Sequence, residues 1–275
     1  MHTPISSGKR LRISSRLFPA VPLLCRRTAT TGGSCCARRR LSLPIIFACF
    51  LLSTANAGTP PTVAVDVGHT LAEPGAISAR GRGEFEFNRE LVGPLAAALR
   101  ARNVKVREVN FSGAIGSLAE RPAQARGSDF FISVHHDSIS PEYLQFWDWD
   151  GEEMSHTMLK RGFGLFVSRR NPDLAGSLRC ASAMGAVLRR AGFVPTPWHG
   201  RKHQPADADN GVWYYDNLVV LHKATFPAVL FEAGVIKHRE EELELLDPER
   251  QARMADALAT GIAACLAVRG KSARE

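Results

Sequence analysis

The chain has 275 residues, 45% hydrophobic and 23% charged, the composition of a soluble globular protein with one large domain or two small ones. Its formal charge of +8 does not mark a nucleic-acid binder. Nine of its 35 Lys and Arg lie in residues 1–57, which contain no Asp or Glu, so the 26 that remain face 27 acids and exert no bulk pull on an anionic polymer.

The N-terminal stretch reads as an export signal. Arg38, Arg39 and Arg40 form a basic flank, Leu41 to Leu52 are almost wholly apolar, and Ala55-Asn56-Ala57 gives a small-x-small cleavage pattern. The apolar run suits a signal core and is short for a membrane span. The mature chain is therefore expected to start at Gly58, in the periplasm or outside the cell, with no stable membrane span; an uncleaved anchor is the alternative. Four of six cysteines fall in this leader. Cys180 and Cys265 remain, either as one bridge or, the reading preferred here, as two buried thiols. Neither has a CxxC partner, so a thiolate metal site is excluded.

After a linker over 58–61, strand-length apolar runs alternate with helical patterns across 62–275. Strands are expected at Thr62–Val67, Val104–Val109, Phe130–Val134, Gly162–Ser168, Leu218–Leu221 and Ala228–Phe231. Helices are expected at Phe87–Arg102, where Leu91, Leu95, Ala98 and Leu99 share a face, and at Leu118–Arg126, with Ser117 as N-cap and Glu120 at the third position. Two further helices are expected at Leu174–Ala191, stopped by Gly192, and at Pro248–Val268, with proline in the first turn. This alternation implies a single α/β domain whose mostly parallel twisted sheet is flanked by helices, with the active site beyond the carboxyl ends of the strands. Ser138–Arg161 and Pro195–Asp216 do not fit the alternation and read as long site-lining loops. No internal repeat is evident.

Polar residues gather at the expected strand ends. His69 follows the first strand, His135 the third, and Glu232 ends the last, while Glu84 opens the first helix. Two histidines and a carboxylate around an open position make a hydrolytic zinc arrangement. Such a site needs a further carboxylate to move the proton of the attacking water, and Glu232, after four apolar residues, is the natural candidate.

At these residues the chain resembles the type-3 N-acetylmuramoyl-L-alanine amidases, the zinc cell-wall amidases. The blocks that carry the likeness are Asp66-Val67-Gly68-His69, Pro74-Gly75-Ala76-Ile77 with Glu84 and Asn88, Ser117-Leu118-Ala119-Glu120-Arg121, Phe131 to Ser138, and Pro227 to Ile236. They occur in the family's order across Val63 to Val268. The resemblance implies one zinc ion per chain held by His69, Glu84 and His135, with Glu232 as general base, and cleavage of the amide between N-acetylmuramic acid and L-alanine. Glu86 competes with Glu84 as ligand, and its other reading is a solvated first-turn carboxylate. Asp66 is expected either to orient the His69 ring or to end the strand in a turn, and Arg121 to make a structural ion pair or a helix contact.

Candidate substrate contacts are His136, His222 and Trp213. For His136 a supporting or surface role is the alternative, and for the aromatics of 195–216, packing. His199 and His203, four apart, raise a weak second-metal reading. Trp147 and Trp149 fall in a segment read as a lid or regulatory element. Val67, Thr70 and Leu71 depart from the family's Pro and Gly-Gly and are expected to reshape the substrate entrance without removing a ligand. The expected partners are the stem peptide and glycan of peptidoglycan, with room for a protein activator and none for nucleic acid. The rival readings are a carboxypeptidase-like zinc peptidase of the cell wall and a non-catalytic peptidoglycan binder.

Overall fold

A computed structural model describes residues 59–272; the expected export signal lies outside the described residues. Among the described residues no helix is long and apolar enough to cross a membrane.

The chain runs β1 (Thr62–Val67), α1 (Glu84–Arg100), β2 (Lys105–Val109), α2 (Glu120–Gln124), β3 (Phe130–Asp137), β4 (Gln145–Trp149), β5 (Glu152–His156), β6 (Gly164–Val167), α3 (Leu174–Arg190), β7 (Pro205–Asp207), β8 (Val212–Tyr214), α4 (Val219–His222), β9 (Ala228–Val235), α5 (Glu241–Leu245) and α6 (Pro248–Ser272). Seven strands form one sheet in the order β2-β1-β3-β9-β6-β8-β7. The strands β2, β1, β3 and β9 are mutually parallel, and β6 joins β9 antiparallel. The sheet is thus mixed and mostly parallel, as expected.

Alternation along β1 divides the core. Val63, Val65 and Val67 face the layer formed with α1, α3 and α6, while Ala64 faces the side that holds Phe131, Trp213, Val220 and Leu221. Because β6 is antiparallel to β9, Gly164 at its start lies opposite Glu232. The segments entering β6 and β8 therefore arrive at the edge where β3 and β9 end, which is how 157–163 and 195–211 come to surround the site.

Several expectations are corrected. Leu218–Leu221 is not a strand: Val219–His222 forms a helical turn. Asn171 donates to the carbonyls of Leu221, Ala224 and Phe226, taking up the acceptors that such a turn leaves open. Helix α1 begins three residues early because the N–H groups of Glu84 and Phe85 donate to the carbonyls of Ala76 and Pro74. The capping box at Ser117 does not form; the N-cap of α2 is Ala119, with no side-chain cap, and Glu120 accepts from Gln124. The two presumed loops carry structure: β4 and β5 form a separate hairpin, and β7 and β8 extend the main sheet.

Cys180 on α3 and Cys265 on α6 are not free thiols. Their Cα atoms lie 5.1 Å apart and the sulfurs are bonded, within the reach of a disulfide. The bridge closes a sequence separation of 85 residues. Replacing both cysteines by alanine is expected to cost about 2–4 kcal/mol of stability, read as a lower urea midpoint. An unchanged midpoint, with and without reductant, would contradict the bridge.

Candidate metal centre

The centre is built on three chain segments. His69 leaves the end of β1 in a left-handed conformation, φ 66°, which costs a non-glycine residue energy and persists only where its surroundings hold it. Here they do. The His69 carbonyl accepts from Asn110 Nδ2 at 2.6 Å and from Arg121 Nη2 at 2.8 Å, and both side chains also donate to the Val67 carbonyl. Arg121 is buried and lies 3.7 Å from Asp66, which accepts from Ser133 Oγ at 2.6 Å. Asp66 therefore meets Arg121 and Ser133, and no hydrogen bond joins it to the His69 ring. Burial lifts its carboxyl to about 7 against the opposing pull of Arg121. Arg121 has the structural role expected of it.

Glu84, at the start of α1, lies between the two rings. Its Oε2 is 3.1 Å from His69 Nε2 and its Oε1 is 3.0 Å from His135 Nδ1. Asn88, one turn on, donates to Glu84 Oε1 and to the Gly68 carbonyl, and its Oδ1 lies 2.8 Å from His136 Nδ1. Two glycines allow the approach. A Cβ on Gly68 would stand 2.4 Å from the His135 ring, and one on Gly75, at φ +80°, would stand 2.7 Å from both Glu84 Oε2 and the His69 ring.

The donor atoms of His69, Glu84 and His135 all lie within 4.8 Å of one another. Burial works against ionisation of Glu84, but hydrogen bonds and charge from His135 and His69 outweigh it and hold the carboxyl well below its ordinary range. Burial also lowers the His135 pKa, with Glu84 opposing, which favours a neutral ring. An ionised carboxylate beside imidazole lone pairs is the donor set a borderline divalent metal takes. The two short contacts are close to the edge of about 3.3 Å that tetrahedral zinc–nitrogen bonds imply, so the residues fit that ion. Removing the support of Glu84 by Asn88→Ala is expected to weaken zinc affinity about 10–100-fold; an unchanged affinity in a competition titration would contradict this positioning role.

Glu232 on β9 sits in register beside His135 on β3. Its Oε2 is buried without a hydrogen-bond partner. Burial raises its pKa well above the ordinary carboxylate range, and the charges of Asp137 and Glu84 push the same way against Lys160. Glu232 lines a cavity of about 360 Å³ together with Asp137, Lys160, His199, His203 and Tyr215. A roomier cavity of about 500 Å³, lined by Arg161, Glu241 and Arg250, shares no residue with it. There Glu241 is committed to the N–H groups of Gly162 and Val235.

The other sequence candidates are placed elsewhere. Glu86 is exposed and pairs with Arg82, as its solvated reading expects. His136 is buried against Asn88 and Phe87, held neutral by burial with a pKa near 3; it supports the centre and is not open to substrate. Trp213 is buried in the core. His222 ends α4, so neither it nor Trp213 lines the cavity beside Glu232. His199 and His203 have ring centroids 6.3 Å apart, but His199 Nε2 faces Asp137 Oδ2 at 3.2 Å. Among the described residues only His69, Glu84 and His135 group as metal donors.

The sequence reading missed Lys160 and Asp137. Lys160 Nζ lies 2.5 Å from Asp137 Oδ2 and donates to the Ser138 carbonyl. Asp137 stands two residues after His135 on the same strand, a spacing that places both on one face and could have flagged it.

The model of the N-acetylmuramoyl-L-alanine amidase family matches residues 63–264. No functionally curated protein matches the chain. Among solved structures, it is similar to the N-acetylmuramyl-L-alanine amidase Ami1 from Mycobacterium smegmatis, at 23% identity and a TM-score of 0.61, over 76% of this chain and 97% of that one. It is also similar to the N-acetylmuramoyl-L-alanine amidase from Clostridium difficile 630, at 20% identity and 0.61, over 78% and 100%. A third is the CwlD amidase from Clostridioides difficile in complex with the GerS lipoprotein, at 17% identity and 0.58, over 76% and 99%. At these identities the structures establish the fold.

Proposed function

The chain belongs to the N-acetylmuramoyl-L-alanine amidase family, and from that premise we propose that one zinc ion, held by His69, Glu84 and His135, serves an amide hydrolysis in which Glu232 moves the protons. The observation that carries this reading is the convergence of the three donors beside a buried, unpartnered carboxylate oxygen. When bound, the metal polarises the amide carbonyl and acidifies a water. Glu232 Oε2 takes a proton from the attacking water and hands it to the nitrogen of L-alanine as the amide breaks. Arg121 and Asn110 hold His69 in its left-handed turn, and Asn88 holds Glu84, so the donors are oriented before substrate arrives.

The substrate is peptidoglycan, as the family implies. Its acyl side, the lactyl group of N-acetylmuramic acid, faces the metal donors, and its amine side faces Glu232. The proposed location is periplasmic or extracellular. The leader over 1–57 supports it, as does the Cys180–Cys265 bridge, which persists in oxidising compartments. A protein activator is compatible with the reading, since the similar CwlD amidase was captured with a lipoprotein.

Metal analysis tests the centre itself. The purified protein is expected to hold one zinc per chain, and His135→Ala to lose it while remaining folded by circular dichroism. Zinc retained at full stoichiometry in His135→Ala would overturn the ligand assignment.

A further inference from the structure

We propose that the cavity beyond Glu232 is the subsite for the stem-peptide residue that follows L-alanine, and that Lys202 selects a free carboxylate there over its amide. The inference rests on the amidase reading above.

The first argument is direction. The cavity shares Glu232 with the site but is lined by none of His69, Glu84 and His135. The base must reach the departing nitrogen to protonate it, so whatever that nitrogen carries runs past Glu232 and away from the metal donors. That is the peptide half of the substrate. The cavity is near the lower end of ligand pockets in size and suits one or two residues better than a polysaccharide.

The second argument is charge. The inner acid of the cavity, Asp137, already has a cation beside it: Lys160 Nζ lies 2.5 Å from its Oδ2. At the mouth, Lys202 is exposed, with its Nζ donating to Ser140 Oγ at 2.7 Å. No acid lies within ion-pair distance of Lys202 among the described residues. Arg201 beside it stacks on Trp198, its guanidinium carbon 4.2 Å from the ring centroid. His203 packs on Tyr215 at 4.4 Å between ring centroids. A lysine with no acid partner, in a cavity also lined by Trp198 and Tyr215, favours a carboxylate on a short hydrocarbon.

The third argument is rigidity. His199 seats this rim against β6, the strand paired with Glu232-bearing β9. A Cβ on Gly164 would stand 2.5 Å from His199 Nε2, and Gly164 is the register partner of Glu232. The segment bearing Lys202 and His203 is thereby fixed relative to the base.

Bacterial stem peptides supply a matching group: a D-glutamate linked through its γ-carboxyl leaves the α-carboxyl either free or amidated. The test uses L-alanyl-D-glutamate γ-methylamide and its α-amide, titrated calorimetrically into the protein. It is paired with hydrolysis of the N-acetylmuramoyl derivatives of both. Wild type is expected to bind the acid about fivefold more tightly than the amide. Lys202→Ala is expected to remove that preference, Lys202→Arg to keep it, and neither to alter zinc content. Equal affinity for acid and amide in wild type, or a preference that survives Lys202→Ala, overturns the inference. Selective binding without hydrolysis of either derivative supports the subsite and contradicts the amidase reading instead.

Discussion

Glu232→Gln is expected to reduce peptidoglycan hydrolysis by about 10²–10⁴-fold while zinc stoichiometry stays at that of the wild type. The side chain is not part of the donor group of His69, Glu84 and His135, so its loss removes proton transfer and leaves the metal's holders untouched. The same variant is expected to be more heat-stable than wild type when both are metal-free at neutral pH. The sign follows from linkage. Burial and the charges of Asp137 and Glu84 raise the folded pKa of Glu232, so at a pH above its unfolded value the native state carries a cost that the unfolded chain does not. Glutamine removes the ionisation and with it that cost. Glu84 has the opposite sign: its depressed pKa contributes stability that is present above the ordinary glutamate value and is lost as pH falls below it. Kinetics, metal analysis and a thermal scan check the three parts. Zinc lost together with activity would mean that Glu232 is a ligand.

The second large effect is expected from a single methyl group. Gly75→Ala should abolish zinc binding and hydrolysis while the protein stays folded. Position 75 has φ +80°, where an alanine is strained, and its Cβ would stand 2.7 Å from Glu84 Oε2 and from the His69 ring. Backing away would have to move the loop over 74–83, whose Pro74 and Ala76 carbonyls receive the first N–H groups of α1, so the displacement would carry Glu84 with it. Gly68→Ala, with a Cβ 2.4 Å from the His135 ring, should act in the same way through the other histidine. Wild-type zinc affinity in either variant, measured by competition with a chelator, would show that the centre tolerates a displacement of this size.

The parallel half of the fold was legible because its strands are buried on both faces and read as continuous apolar runs, as in Thr62–Val67 and Phe130–Val134. The donors were legible for the same reason, since His69, His135 and Glu232 punctuate those runs at one edge. Short apolar runs carry no period that separates strand from turn, so Leu218–Leu221 was misread; Asn171, nearly fifty residues earlier in the chain, stabilises the turn. The β4–β5 hairpin did leave a signal: Asp150 and Gly151, at φ 56° and 83°, form the Asp-Gly turn that joins the aromatic β4 to β5. What pattern does not show is depth. His136, next to His135, and Trp213, in the aromatic segment over 195–216, are the kinds of residue that line a site, yet both are buried. Lys160 and Lys202 lie in segments without periodicity, and only the antiparallel entry of β6 and the neighbouring 195–211 segment bring them to Glu232.

The central claim concerns which bond is cut. Purified peptidoglycan treated with the zinc-loaded protein should release intact stem peptides with L-alanine at their amino terminus, by mass spectrometry and end-group labelling, and chelation should stop the release. Peptides shortened at the carboxyl end with the muramyl amide intact, or release that chelation does not affect, would contradict the account.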